Sequence, residues 1–510
     1  MEQQIDLGDL GESAEVSKID SVSREYLIQR NTVLEFELAQ VIRENYELRN
    51  LKISDQQLAL IMQEQLNALR GTLYGATSER YRKPEKKDIP KAPAKPRVKR
   101  PSERYPNVPV REQIVVVNPV PDCTSCGREM SDSGMTEDSE QLTVIPKKYE
   151  IVLYRRVKYR CSCHSCIQTA PARSRIVEGS SYSDEMILDV ALSKYCDLIP
   201  IHRYVLMASR SGVRGLPPHS LIELTHGLSD FVMPAYELIK KELMNFRVLH
   251  ADETPHKMLE GSDTKSWYLW GFSTPSLCFL ECHDTRSGDI ASDILRNSKC
   301  EIVVSDVYSG YGKAIRVSNF ARKISGLAII QNANCNAHSR RYFFKSWSSL
   351  FKEPAYYLDK YHEIYELNER AKGKLAVEVL ELRLKMSPLF EEMRERAIQE
   401  LSGYSEKSQY GKALRYFIKN YQGLTLFLAD AEVPIDNNSQ ERLLRSHVVG
   451  RKTWYGTHSE RGAQTASVLF SLVETCKLNG VNPREYFAQL TADLLAGREP
   501  FTPRDFSIRR

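Results

Sequence analysis

Apolar residues recur at helical spacing from Ser23 onward, with Leu27, Leu34, Val41 and Leu48 seven apart. Taking these as d positions puts Asn31, Leu38 and Asn45 at a. An apolar d with an interspersed polar a is a zipper-like seam, in which a buried Asn tends to set register and favour a dimer. The repeat breaks at Asp55 and partly resumes at Met62 and Leu69. Residues 20–72 are therefore expected to form a coiled-coil dimerisation helix. The competing reading is an amphipathic helix packed on the protein's own body. Periodicity then vanishes over residues 83–104, which hold nine Lys/Arg, three Asp/Glu and five Pro. That composition predicts a semi-extended basic linker, either tracking phosphates or simply solvated.

Residues 142–160 alternate as a strand does (Leu142, Val144, Ile151, Leu153, Val157) and lie between two cysteine clusters. The first is Cys123-Thr-Ser-Cys126-Gly and the second Cys161-Ser-Cys163-His164-Ser-Cys166. Two such pairs brought together by a hairpin make a tetrahedral zinc site, so residues 105–178 are expected to be a zinc-ribbon, DNA-binding domain. Cys123, Cys126, Cys163 and Cys166 are the expected ligands, with Cys161 as the alternate; Cys161 and His164 share the same knuckle spacing. Residues 184–245 read as helices. Within them Ile201–Arg210, a Gly-bearing turn and Pro217–Gly227 resemble a helix-turn-helix, the second helix starting at His219 or Ser220. Any helical corner has this look.

The pattern then switches to strands. Phe246–Ala251 ends in Asp252, and Trp267–Ser273 and Leu277–Cys282 follow. Residues 286–297 are helical, Glu301–Ser305 is an apolar strand ending at Asp306, Leu327–Gln331 is a strand, and Ser339–Trp347 is a helix. Three strands, helix, strand, helix, strand, helix is the RNase H-like plan, a mixed sheet with helices on both faces. In that plan the first and fourth strands are neighbours, so Asp252 and Asp306 can hold magnesium together. Residues 345–430 read as an all-helical insertion. After it, Pro434-Ile-Asp436-Asn437-Asn438-Ser-Gln-Glu441-Arg442 opens a helix with Asn437 and Glu441 on one face. Glu441 is the candidate third carboxylate; Asn438-x-x-Glu441 is also a capping-box spacing. Strand-end Asp residues are also common as turn formers.

Composition narrows the class. Of 510 residues, 42% are hydrophobic and 27% charged, with a net charge of +5, so any nucleic-acid surface is local. No uncharged apolar stretch is long enough for a membrane span, and the polar start lacks a signal peptide's features. A cytoplasmic, nucleoid-associated location without membrane contact is expected. Eleven cysteines, five of them clustered, favour metal over disulfides there.

Together the motifs resemble a DDE transposase of the insertion-sequence-66 family. They are His250-Ala-Asp252-Glu253-Thr254-Pro, Asp306-Val-Tyr308-Ser-Gly310-Tyr311, Cys335-Asn-Ala-His338-Ser-Arg340-Arg341, Asp436-Asn437-Asn438-Ser-Gln-Glu441-Arg442 and Gly450-Arg451-Lys452-Thr-Trp454. Glu474-Thr475-Cys476-Lys477, Asn479-Gly480-Val-Asn-Pro483 and, upstream, Leu73-Tyr74-Gly75 with Ser78-Glu79-Arg80 extend the likeness over nearly the whole chain. CSCHSC departs from the family by one extra cysteine. The resemblance implies a multidomain α+β chain: coiled coil, zinc ribbon, helix-turn-helix-like segment, an RNase H-like catalytic core over 246–460 and a C-terminal helical element over 461–510.

It also implies that Asp252, Asp306 and Glu441 hold two magnesium or manganese ions, cut double-stranded DNA at element ends and join the 3′-hydroxyl to target DNA. Arg442, Arg451 and Lys452 are then phosphate neighbours, with solvated surface charge as the plainer reading. His338 has a positioning role near the site or is a hydrogen-bonded core histidine; zinc there is not expected, since only Cys335 and His338 are visible as ligands. Partners implied are a second copy of the chain and helper proteins of the same element. The alternatives are a non-catalytic DNA-binding regulator carrying an inactive nuclease fold, and a nuclease without strand transfer. No phosphate-binding GxxxxGK[ST] loop is visible, so no ATP dependence is expected.

Overall fold

A computed structural model describes residues 38–44, 62, 100–115, 121–122, 124–130, 137–145, 147–160, 162, 166–259, 267–347, 350 and 352–508. The chain divides into two compact units, one of Arg82–Arg155 with Ala208–Arg214, the other of Met1–Tyr81, Arg156–Met207 and Gly215–Arg510.

In the smaller unit, Pro101–Arg104 forms one helical turn. Ser102 ties it to Glu140 through its backbone N–H at 2.8 Å and its hydroxyl at 2.9 Å. An antiparallel bridge between Asp122 and Glu129 closes the loop carrying Cys126, and Gly127 takes φ +71° there. The strand expected over 142–160 is found only as β1, Lys158–Arg160, which belongs to the larger unit. The described residues between 141 and 157 form no strand, and Val144 and Ile151 are 80% and 99% exposed. Alternation makes a strand only where another strand supplies ladder hydrogen bonds and a surface to cover. β1 has one, pairing antiparallel with β2, Ile167–Thr169.

Of the N-terminal seam, residues 38–44 are helical, with Ile42 buried and Val41 exposed. Leu27, Leu34 and Leu48 lie outside the described residues. Four helices follow: α1 Asp184–Tyr195, α2 Ile201–Arg210, α3 Pro218–Phe231 and α4 Met233–Leu243. Ser183 caps α1 by accepting from the Met186 N–H at 3.3 Å. Gly212 and Gly215 supply the positive φ of the turn after α2. α3 starts at Pro218, earlier than the expected His219 or Ser220, because a first-turn N–H has no helical partner to lose.

The large unit is built on a five-stranded sheet: β3 Val248–His256, β4 Trp267–Ser273, β5 Cys278–His283, β6 Ile302–Ser305 and β7 Gln331–Asn334. Its order is β5-β4-β3-β6-β7; the first three strands are antiparallel, and β6 and β7 run parallel to β3. Helices α5 Asp289–Arg296, α6 Ser309–Ile324 and α7 Asn336–Trp347 connect and follow the later strands. The element order is the expected one, but boundaries move, most of all those of β3 and β7. β3 runs through Asp252 to His256 because β4 keeps pairing with it, Thr254 opposite Leu269 and His256 opposite Trp267. Asp252 is thus inside the strand, not at its end. β7 lies later than the expected Leu327–Gln331 and is polar. Its register is held by the ladder to β6 and by side-chain bonds, Ser305 Oγ to Asn332 Oδ1 and Asn332 Nδ2 to Asn334 Oδ1, both 3.0 Å. Apolar periodicity cannot report such a strand.

The described residues of 345–430 are helical and hold no strand: α8 Lys352–Ala371, α9 Ala376–Leu401, α10 Gln409–Lys419, α11 Tyr421–Thr425 and a 3-10 turn, Leu426–Ala429. They are not an appendage. Phe343, Tyr357, Tyr361, Phe390, Phe417 and Phe427 form one apolar core with Ile302 and Val304 of β6 and Ala333 of β7. Phe343 stacks on Tyr357 at 4.2 Å.

After the insertion come α12 Asn438–Trp454, α13 Glu460–Leu478, α14 Pro483–Leu495 and α15 Pro503–Ile508. α13 seals the open edge of β5. Ser471 Oγ accepts from the Leu280 N–H at 2.8 Å, and Thr475 Oγ1 from the Cys278 N–H at 3.0 Å. An uncovered edge would leave these donors free to pair with another chain.

Candidate active site

The β3–β6 register matches Val248 with Ile302, Leu249 with Val303 and His250 with Val304. Continued, it carries Asp306, the residue after β6, level with Asp252, on strands about 4.8 Å apart. The Asp306 carboxylate accepts from the Tyr308 N–H at 2.9 Å, turning the chain into α6. Asp252 accepts from the Glu253 N–H at 2.9 Å. Burial, then the negative charges of Glu253, Asp306 and Glu441, push the Asp252 carboxyl up to about 8.

Glu441 reaches this spot because α12 docks tightly on β3 and β4. Asn437, 1% exposed, is the staple. Its Oδ1 lies 2.8 Å from His250 Nδ1, its Nδ2 donates to Ala251 O at 2.8 Å, and its N–H donates to Cys335 Sγ at 3.2 Å. Gly271, paired with Asp252, leaves room for the helix: a Cβ there would overlap the buried Gln440 amide and press on Leu444 at 3.2 Å. The capping-box alternative fails. Asn437, not Asn438, is the cap residue, so Glu441 falls one position too far along to bond back to it. Glu441 Oε1 is instead buried without a hydrogen-bond partner among the described residues.

Around that carboxylate, His338 Nε2 lies 3.7 Å from Oε1 and an Arg341 guanidinium nitrogen 3.8 Å from Oε2. The ligand atoms of Cys335, His338 and Glu441 lie within 4.8 Å of one another. Cys335 is fully buried, which raises its thiol to about 12. Glu253 has other partners: Arg286 donates to it at 2.8 and 2.6 Å, and the Tyr311 hydroxyl at 2.6 Å. Burial raises its pKa against the opposing pull of Tyr311 and Arg286.

Of the basic candidates, Arg442 and Lys452 are exposed on α12. Arg451 is half-buried and donates to Pro255 O of β3, so its guanidinium already serves the fold. Sequence reasoning missed a buried histidine pair beside it. His256 Nδ1 lies 2.9 Å from His447 Nε2, and His256 Nε2 lies 2.7 Å from Thr457 Oγ1. Burial, then Arg451, lowers His256 to about 4; burial, then His256 and Arg451, hold His447 well below its usual value.

Carboxylate oxygens are hard ligands, and a buried, unbonded oxygen beside an aspartate raised by its acidic neighbours is what a divalent cation relieves. The acidic cluster fits such an ion. In the cysteine region, Cys123, Cys161 and Cys163 lie outside the described residues. Cys126 and Cys166 are exposed free thiols, the first in the bridged loop, the second just before β2.

The site is thus a half-buried acidic cluster on a mixed α/β core, under a docked helix. The family model described as "Transposase IS66 family" matches residues 179–465, more than half of the chain, and the chain belongs to that family. Membership supports a transposase-type function and implies work on DNA. Among curated relatives, the chain is 28% identical over 70% of its length to the uncharacterized protein y4qI of Sinorhizobium fredii, covering 68% of that protein. It is 25% identical over 75% of its length to the uncharacterized protein y4hP of the same organism, covering 72% of it. Among the described residues no helix is long and apolar enough to cross a membrane.

Proposed function

We propose that the chain is a DDE transposase that cuts the ends of an insertion element and joins them to target DNA. The observation that carries the reading is the mutual electrostatic influence of Asp252, Asp306 and Glu441, with the Glu441 Oε1 oxygen buried and without a hydrogen bond among the described residues. The sheet order, with its helical insertion, supports an RNase H-like core. Asp252, Asp306 and Glu441 would hold magnesium or manganese, which supplies charge neutralisation at the scissile phosphate.

The chain's own residues set up the reaction. Asn437 and Gly271 fix the approach of α12, and Arg341 and His338 border Glu441. Exposed Arg442 and Lys452 offer charge to DNA phosphates. In the first step a water oxygen bonds phosphorus as the bond to the 3′ oxygen breaks, freeing a 3′-hydroxyl. In the second, that hydroxyl attacks a target phosphodiester and the target's own 3′ oxygen leaves.

Asp252→Asn, Asp306→Asn and Glu441→Gln each delete a ligand charge. Losing several kcal/mol of transition-state stabilisation lowers the rate about a thousandfold or more. Cleavage and joining of element-end DNA with magnesium should fall by that factor, with DNA binding retained. If all three variants cleave normally, the non-catalytic DNA-binding regulator becomes the better account. We propose in addition that Cys123, Cys126, Cys163 and Cys166, with Cys161 as alternate, hold one zinc ion in a DNA-binding ribbon. Elemental analysis should then find about one zinc fewer per chain in Cys126→Ser.

A further inference from the structure

We propose that Cys335, His338 and Glu441 form a second kind of metal seat beside the acidic pair, one for a thiophilic divalent cation such as zinc. The seat shares Glu441 with the catalytic reading above but requires neither Asp252 nor Asp306.

Cys335 follows β7, its N–H bonded to Ser305 O at 3.0 Å, and His338 lies in the first turn of α7. Glu441 comes from α12, about a hundred residues later. The fold thus adds a third ligand to the two that the sequence shows. Their ligand atoms lie within 4.8 Å of one another. The 3.7 Å from His338 Nε2 to Glu441 Oε1 is too long for a hydrogen bond. It is close to the edge of about 3.3 Å that a tetrahedron with ~2.0–2.1 Å bonds requires.

Two further observations suit a cation at this place. Glu441 Oε1, the oxygen that faces His338 Nε2, is buried without a hydrogen-bond partner among the described residues. Leaving such an atom unpaired is costly, and a cation bound by the oxygen removes that cost. Cys335 Sγ already accepts the Asn437 N–H, the kind of outer bond that orients a metal-bound sulfur. Sulfur, imidazole and carboxylate together select zinc over magnesium, which prefers oxygen alone. Three protein ligands leave a fourth position open, as in sites that admit a water or a substrate oxygen.

The test uses the full chain with Cys123, Cys126, Cys161, Cys163 and Cys166 replaced by Ser, titrated with cobalt as a spectroscopic stand-in for zinc. A thiolate-to-cobalt charge-transfer band is expected, and it should vanish on adding Cys335→Ser or His338→Ala. No band in a chain with native circular dichroism, or a band that survives Cys335→Ser, overturns the seat. If the serine-replaced chain does not fold, zinc content decides: Cys335→Ser in the natural chain should bind about one zinc fewer, and equal content overturns the proposal. Asp252→Asn should lose cleavage and keep the band. A chain that cleaves DNA but never shows the band leaves the catalytic reading standing and removes only this one.

Discussion

Two neighbouring acids on β3 meet opposite fates. Side chains alternate across a strand, so Asp252 and Glu253 face different sides of the sheet. Glu253, its side chain only 2% exposed, is bonded by Arg286 and Tyr311. Asp252 has the Glu253 N–H and, beyond it, only more negative charge. A buried carboxylate with a cationic partner is held as an ion pair, whereas burial and neighbouring carboxylates oppose the ionisation of one without such a partner. Glu253→Gln should therefore cost stability, about 1–3 kcal/mol for weakened charged hydrogen bonds, read from denaturant unfolding. Its DNA cleavage should stay far above that of Asp252→Asn; equal loss in the two would place Glu253 among the reacting groups. The alternation was legible in the sequence. Arg286 and Tyr311 as partners were not, because both come from later segments of the chain.

At the scale of elements, the site depends on how closely α12 lies on the sheet. Gly271 lets it approach, so Gly271→Ala must displace the Gln440 amide and crowd Leu444. Overpacking of this kind costs about 1–3 kcal/mol. A shift of Glu441 by ~1 Å can lower the rate about a hundredfold. Cleavage by Gly271→Ala should fall by that order while far-ultraviolet circular dichroism stays native; unchanged cleavage would show that α12 absorbs the methyl without moving.

Further along the same helix, His447 meets His256 of β3. An unfolded imidazole takes up its proton near pH 6.5, but folded His256 resists until about 4. Below about pH 6.5 the unfolded state thus binds more protons. The stability contributed is complete above about pH 6.5 and is lost as pH falls toward 4, by about 3 kcal/mol at most for His256. Urea midpoints at about pH 7.5 and 5 should show this slope, and His256→Gln should flatten it. An unchanged slope in that variant would assign the pH dependence to other groups.

For the whole molecule, the helical insertion is part of the core. Its aromatic residues cover the β6–β7 side of the sheet, so trimming it would expose Ile302 and Val304 next to the site. The N-terminal seam is proposed as a dimerisation element. Residues 20–72 made alone should be helical and should grow in mass with concentration in the ultracentrifuge. A monomeric, unfolded fragment would reject the seam as a dimerisation element.

The order of strands and helices, the two apolar runs leading to Asp252 and Asp306, and the helix carrying Glu441 were readable from local patterning. Periods of two and 3.6 are set by each residue's immediate neighbours. What only the tertiary structure decided depends on partners far away along the chain. β3 continues past Asp252 because β4 pairs with it, and polar β7 is a strand because β6 lies beside it. Glu441 is freed from capping because the Asn437 staple starts α12 one residue earlier than the box requires. Glu441 joins Cys335 and His338 through packing alone, which no spacing along the chain encodes.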